Sequence, residues 1–133
     1  MAEILVVEDN SAVRTAYRLL LKNAGYTVTE AVDGHDAIGK LGQGRFDVVV
    51  TDLWMPGADG FAVIAAAKKV QPPPLVLAVT GGALGAATND PAVRATAAGA
   101  DAVIEKPMLG EGMLSAVAAL LGRVPERAGV RAG

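Results

Sequence analysis

Acidic, hydroxyl and lysine side chains lie within two residues of the ends of several apolar runs of this sequence. Glu8 and Asp9 follow the first run, and Asp52 comes two residues after another. Three carboxylates brought close together repel one another, and a divalent cation would remove that conflict. Oxygen ligands without cysteine or histidine favour Mg²⁺, Mn²⁺ or Ca²⁺, and Mg²⁺ often combines one or two carboxylates with phosphate oxygens. If the chain brings these acids together, they suit Mg²⁺, with Mn²⁺ as a possible substitute.

Two further polar residues could bind a phosphoryl group beside such a metal. Thr80 and Lys106 also follow apolar runs. A lysine ammonium can pair with one phosphoryl oxygen, and a threonine hydroxyl can donate a hydrogen bond to another. A carboxylate next to a metal and an ammonium can act as a nucleophile and form an acyl phosphate. Phosphoryl transfer needs mainly alignment and charge neutralisation, which these residues could supply at Asp52.

The apolar runs predict the strands that would position these side chains. Four runs do not alternate with polar residues, which is typical of parallel strands covered on both faces. A weaker, alternating run predicts an edge strand. The four runs are residues 4–7, 48–50, 75–79 and 102–104, and the alternating run is residues 26–30.

Helical patterns follow the strands. The first begins at the caps Asn10 and Ser11 and ends at Gly25, and the third begins at Asp59 and ends before three prolines. The others cover residues 33–42, 91–98 and 110–121. Alternating strands and helices predict a doubly wound (βα)5 α/β fold, flavodoxin-like, with helices on both faces of a five-stranded parallel sheet in the order 2-1-3-4-5. The inward positions expected on the first, second and last helices are Val13, Ala16, Tyr17, Leu20 and Ala24; Ala37, Ile38 and Leu41; and Met113, Ala116, Val117, Leu120 and Leu121.

The composition excludes several classes of protein. The 133 residues suit one domain, and 52% are hydrophobic, which is enough for a core. The net charge of −2 indicates no direct nucleic-acid partner. Cysteine is absent, which fits a reducing cytoplasm, and no apolar stretch approaches roughly 20 residues. We expect no secretory signal, since the first residues carry no basic leader and no long apolar region. We therefore expect a soluble cytoplasmic domain with no membrane partner.

Taken together, the strand-end residues resemble the receiver domain of bacterial response regulators. The resemblance covers residues 3 to about 121 and rests on four motifs in the expected order, which is more specific than any one motif. The motifs are the pair Glu8 and Asp9; the run from Asp52 to Pro56 with Gly60 eight residues after Asp52; Thr80 and Gly81; and Lys106 and Pro107.

The resemblance implies a metal ligand set and a phosphoryl acceptor. Asp52 would accept a phosphoryl group from a phosphohistidine on a histidine kinase or a histidine phosphotransfer protein. Asp9 and Asp52 would bind Mg²⁺ directly, Glu8 would bind it through water, and the backbone carbonyl of Trp54 would be a third protein ligand.

It also implies the remaining roles at the site. Lys106 would pair with the phosphoryl group, Thr80 would move toward it, and the bond between Lys106 and Pro107 would be cis, which proline makes feasible. Most receivers carry an aromatic residue three positions before this lysine, where the present sequence has Val103. In relatives this aromatic ring moves inward on phosphorylation. In its place, we expect residues 81–98, which include the glycine-rich stretch from Gly81, to be the element that moves.

The implied organisation is a chemotaxis-type, stand-alone response regulator. Residues 1–122 would form the receiver, and residues 123–133 would form a flexible tail. The chain would not be an enzyme beyond its own phosphorylation and dephosphorylation, and its phosphorylated surface would bind a downstream protein. A relay intermediate and a phosphate sink remain open.

Other interpretations remain to be weighed. A haloacid-dehalogenase-like phosphatase needs a second acid two residues after the nucleophile, where this sequence has Trp54. A flavin mononucleotide binder would place its phosphate after the first strand, where the acids Glu8 and Asp9 would repel it. A nonfunctional receiver normally lacks the acidic pair, the acceptor aspartate or the lysine, and this sequence retains all of them. Taken singly, Glu8, Asp9 and Asn10 could also be a polar turn that caps the first helix.

Overall fold

The computed structural model describes residues 2–53, 59–80, 95–96, 98–105 and 110–122. Five strands and four helices are assigned within these ranges. The strands are β1 (Glu3–Val7), β2 (Thr27–Ala31), β3 (Val48–Asp52), β4 (Leu75–Thr80) and β5 (Ala102–Glu105). The helices are α1 (Ser11–Asn23), α2 (Gly34–Leu41), α3 (Gly60–Lys68) and α4 (Gly110–Gly122), of which α4 is the fifth helix expected from sequence. The helix expected at 91–98 lies largely outside the described residues, although Ala95, Thr96 and Ala98 are helical.

The strands form one sheet in the order β2-β1-β3-β4-β5, and every neighbouring pair is parallel. This confirms the predicted flavodoxin-like α/β fold and the position of β2 at an edge. Because all strands run in one direction, the carboxyl ends of β1, β3 and β4 lie along the same edge of the sheet.

Alternate side chains of the central strands enter two separate cores. Leu5, Val7 and Val49 pack on one face with residues of α2 and α3. Ile4 and Val6 pack on the opposite face with α1 and α4. Burying each aliphatic side chain contributes roughly 1.5–3 kcal/mol, so the two cores hold the sheet firmly between its helices. Across the described ranges, no helix has the length and apolar content to cross a membrane.

The inward faces of the first two helices differ in part from those expected. The fully buried side chain of α1 is Leu21, whereas Ala16 and Ala24 are exposed. In α2, Ala37 and Leu41 are buried, but Ile38 is 37% exposed. Residues 37 and 41 are four apart and share a face, while residue 38 is rotated by about 100° from residue 37. The expected inward residues of α4 are buried or half-buried, as predicted.

Side-chain caps fix where the helices begin. Asn10 Oδ1 accepts from the Val13 amide at 3.0 Å, and Asp59 Oδ1 accepts from the Ala62 amide at 3.1 Å. Each such cap is worth about 1 kcal/mol. The caps expected at Asn10 and Asp59 are thus confirmed, and they set the starts of α1 and α3 beside the ends of β1 and β3.

Candidate metal centre at the carboxyl ends of the strands

Three carboxylates meet at this edge of the sheet. One carboxylate oxygen from each of Glu8, Asp9 and Asp52 lies within 4.8 Å of the other two. Glu8 and Asp9 directly follow β1, and Asp52 is the last residue of β3. Since β1 and β3 are adjacent and parallel, their ends bring these side chains together. The predicted convergence of the two acidic motifs is therefore present in the fold.

Burial of Glu8 and Asp52 increases the repulsion among the three carboxylates. Glu8 is 1% exposed and Asp52 is 7% exposed, while Asp9 is open to solvent. Like charges held this close disfavour one another, especially where water is largely excluded. A hard divalent cation would remove the repulsion, and an all-oxygen donor set with one solvent-accessible side suits an ion that retains water, as Mg²⁺ does. The donor chemistry therefore fits the expected metal.

Local hydrogen bonds hold the Glu8 side chain in place. The Asn10 amide donates to Glu8 Oε2 at 3.1 Å, while the Asn10 side chain caps α1. The turn therefore separates two tasks, since Asn10 begins the helix and the acids contribute oxygens to the cluster. The cap of α1 is therefore made by the Asn10 side chain, and the Glu8 and Asp9 side chains belong to the carboxylate cluster.

Gly60 packs directly beneath the phosphoryl acceptor proposed from sequence. Its amide donates to the Leu53 carbonyl at 3.0 Å, and the Leu53 amide donates to the Val79 carbonyl at 3.1 Å. A Cβ placed on Gly60 would overlap the Asp52 carbonyl oxygen and lie 2.6 Å from the Leu53 Cα. No side chain fits there, so a glycine is what lets α3 start against the end of β3.

Thr80 ends the strand next to Asp52. Its side chain is fully buried, and the register places Asp52 opposite Val79, the residue before Thr80. Val103 lies on β5 opposite Ala78 and packs, half-buried, against the core on the α2 and α3 face. The remaining predicted site residues lie outside the described residues: Trp54, Gly81, Lys106 and Pro107.

Arg14 is a residue near the site that we did not predict from sequence. Its Nη1 donates to the Glu8 carbonyl at 2.9 Å, and its Nε donates to Glu30 Oε1 at 3.2 Å. An arginine in the first turn of a helix ordinarily reads as a solvated residue. The sequence shows that Arg14 lies six residues after Glu8. That spacing predicts a contact only when the residue at which the helix begins is already known.

The fold and the acidic edge together define a receiver domain. The chain belongs to the response regulator receiver domain family, whose sequence model matches residues 4–118. The protein is therefore a receiver domain of two-component signalling.

Curated relatives support the same assignment. The chain is 33% identical over 125 residues to the transcriptional regulatory protein AfsQ1 of Streptomyces coelicolor, covering 92% of this chain and 52% of the relative. It is 32% identical over 124 residues to the transcriptional regulatory protein ResD of Bacillus subtilis, covering 93% of this chain and 50% of the relative. The chain thus spans about half the length of these curated relatives.

Solved structures agree on the fold. A CheY-like receiver domain protein from Methanospirillum hungatei superposes with a TM-score of 0.84 at 28% identity, covering 92% of this chain and 95% of that one. A receiver domain protein from Clostridium thermocellum gives a TM-score of 0.82 at 27% identity, covering 92% and 96%.

Proposed function

We propose that this receiver domain is a phosphorylation switch in which Asp52 accepts a phosphoryl group from a phosphohistidine. The donor would be a histidine kinase or a histidine phosphotransfer protein. The observation that carries the proposal is the position of Asp52, which is 7% exposed and contributes an oxygen to the cluster formed with Glu8 and Asp9. A lone surface aspartate has neither the alignment nor the charge arrangement that phosphoryl transfer requires.

In the proposed reaction, an Asp52 carboxylate oxygen forms a bond to phosphorus as the phosphorus–nitrogen bond of the donor breaks. The bonding electrons return to the imidazole nitrogen, so the phosphoryl group moves without a separate oxidant or reductant. Mg²⁺, when bound through Glu8, Asp9, Asp52 and the Trp54 carbonyl, would neutralise charge on the carboxylates and the phosphoryl oxygens. Gly60 leaves room for the Asp52 backbone to keep its carboxylate in this position.

Two further residues would contact the phosphoryl group on Asp52. Lys106 would pair with a phosphoryl oxygen, and the Thr80 hydroxyl would donate to another. Thr80 is fully buried at the end of β4, so any movement of its side chain displaces backbone or packed neighbours. The consequence we propose is a changed protein-binding surface, which a downstream target recognises.

Acetyl phosphate with Mg²⁺ tests the reaction directly. The intact mass should rise by one phosphoryl group in the wild-type chain and should not change in Asp52→Asn. Asp33→Asn is a matched control, because Asp33 is not one of the three clustered acids and asparagine can keep its cap on α2. A mass gain that persists in Asp52→Asn, or that is equally fast in EDTA, would contradict the proposal.

The proposed adaptor role competes with a relay intermediate and a phosphate sink. All three need the same acceptor, so the acidic edge does not favour one of them. Phosphotransfer profiling and target binding separate them. Onward transfer from Asp52 to a histidine protein indicates a relay, and binding of a target only by the phosphorylated chain indicates an adaptor. Phosphorylation by a kinase with neither result indicates a sink. Two observations favour a receiver over the phosphatase alternative: the chain belongs to the receiver family, and Trp54 stands where the phosphatase would need its second acid.

A further inference from the structure

The backbone of Glu8 is held through both of its peptide groups. Its amide donates to the Ala31 carbonyl at 3.2 Å, and its carbonyl accepts from Arg14 Nη1 at 2.9 Å. That carbonyl belongs to the peptide group that joins Glu8 to Asp9. The orientation of this peptide sets the direction in which the Asp9 side chain leaves the chain. Arg14 therefore contacts the peptide group that joins two of the three carboxylate residues.

Arg14 is itself anchored to the edge strand β2. Its Nε contacts Glu30 Oε1 at 3.2 Å, and the Arg14 side chain is 15% exposed. Arg18 Nε contacts the other oxygen of Glu30 at 3.1 Å. The planar guanidinium can hold two acceptors in fixed directions, which a lysine ammonium does less well. Arg14 thus connects the end of β1 to β2 through two directed hydrogen bonds.

We infer that Arg14 is a positioning residue for the metal centre, acting on Mg²⁺ affinity through the Glu8–Asp9 peptide group. This inference rests on the proposed function, because it needs a cluster that binds Mg²⁺. Hydrogen bonds that orient metal ligands from outside are typically worth 10–100-fold in metal affinity. Arg14 would act by fixing the backbone from which the Glu8 and Asp9 carboxylates project.

A simple charge effect would have the opposite sign. A guanidinium near three carboxylates repels an incoming dication, so its removal would strengthen Mg²⁺ binding if charge alone mattered. Loss of positioning weakens Mg²⁺ binding instead. The sign of the change in affinity therefore separates positioning from electrostatic repulsion.

Isothermal titration of the full chain with Mg²⁺, without any phosphoryl donor, tests this inference. Arg14→Ala should weaken Mg²⁺ binding by about tenfold, the low end of the range for such partners. Arg14→Lys keeps the charge but loses the paired geometry, so it should also weaken binding, to a smaller extent. Arg18→Ala is the matched control, because it removes the other guanidinium from Glu30, and it should leave Mg²⁺ affinity unchanged.

Thermal unfolding of the same variants in EDTA measures the purely structural loss. Lower stability with unchanged or stronger Mg²⁺ binding in Arg14→Ala would overturn the inference. If Arg14→Ala does not fold, unchanged affinity in Arg14→Lys would overturn it equally. Absence of Mg²⁺ binding in the wild-type chain would overturn the proposed function together with this inference, and that outcome is distinct because it appears without any substitution.

Discussion

Gly60 and Asp52 are in direct backbone contact: the first residue of α3 lies so close to the last residue of β3 that no side chain fits between them. A Cβ on Gly60 would overlap the Asp52 carbonyl oxygen. The Thr51 hydroxyl donates to that same carbonyl at 3.0 Å. The start of α3 is therefore coupled to the position of Asp52.

Gly60→Ala should destabilise the chain by about 1–3 kcal/mol, the usual cost of forcing extra atoms into a packed region. The control is Gly39→Ala, since Gly39 is an exposed residue of α2 with no atom within 4 Å of a built Cβ. That change should stabilise the chain by roughly 0.5–1 kcal/mol. Urea unfolding measures both, and similar effects of the two substitutions would mean that the tight contact at Gly60 is not present.

Asp9→Asn should raise the stability of the metal-free chain. The substitution removes one of three negative charges within 4.8 Å. Because Asp9 is exposed, water screens the repulsion, and about 1 kcal/mol is the expected gain. The same variant should lose the rise in Tm that Mg²⁺ produces by binding the native state. Thermal scans in EDTA and in Mg²⁺, with Asp33→Asn as the control, check both effects; a lower Tm for Asp9→Asn in EDTA would argue against repulsion.

Thr80→Ser and Thr80→Val should separate acceptance of the phosphoryl group from the response to it. Serine keeps a hydroxyl at this fully buried position, and valine replaces the hydroxyl with a methyl group of similar shape. Both variants should still be phosphorylated on Asp52. Hydrogen exchange of residues 81–98 should change on phosphorylation in wild type and Thr80→Ser, but much less in Thr80→Val. An equal change in hydrogen exchange in the wild type and both variants would show that the Thr80 hydroxyl is not needed for the response to phosphorylation.

The pKa of Asp36 should be lower in the folded chain than the 3.8 usual for aspartate. The Val32 amide, which donates to Asp36 Oδ2 at 3.0 Å, is the largest cause, followed by a hydrogen bond from Lys40. A lowered folded-state pKa means that ionised Asp36 stabilises the fold above pH 3.8 and that this contribution is lost as the pH falls through the folded value. NMR titration of the Asp36 carboxyl checks the direction, and Asp36→Asn should flatten the loss of stability below that pH.

Much of the fold could be predicted because its signals are local. Uninterrupted aliphatic runs indicate buried parallel strands, and Asn10 and Asp59 indicate helix starts through their own side chains. The inward faces were harder to predict. Ile38 directly follows Ala37 and is the more hydrophobic of the two, yet Ile38 is 37% exposed while Ala37 is fully buried. Periodicity gives the width of an apolar face but not its angle to a neighbouring element.

The residue types and their order determined the acidic edge. Glu8 and Asp9 follow a strand, Asp52 and Thr80 end strands, and the α/β alternation already implies the direction of these strands. Tertiary structure alone decided the contacts made across elements. Arg14 reaches Glu8 and Glu30 because α1 lies over β1 and β2, and Gly60 needs its missing side chain because α3 begins against β3. Such contacts depend on how each helix packs against the strands beside it, and that packing is set by the whole sheet and its helices.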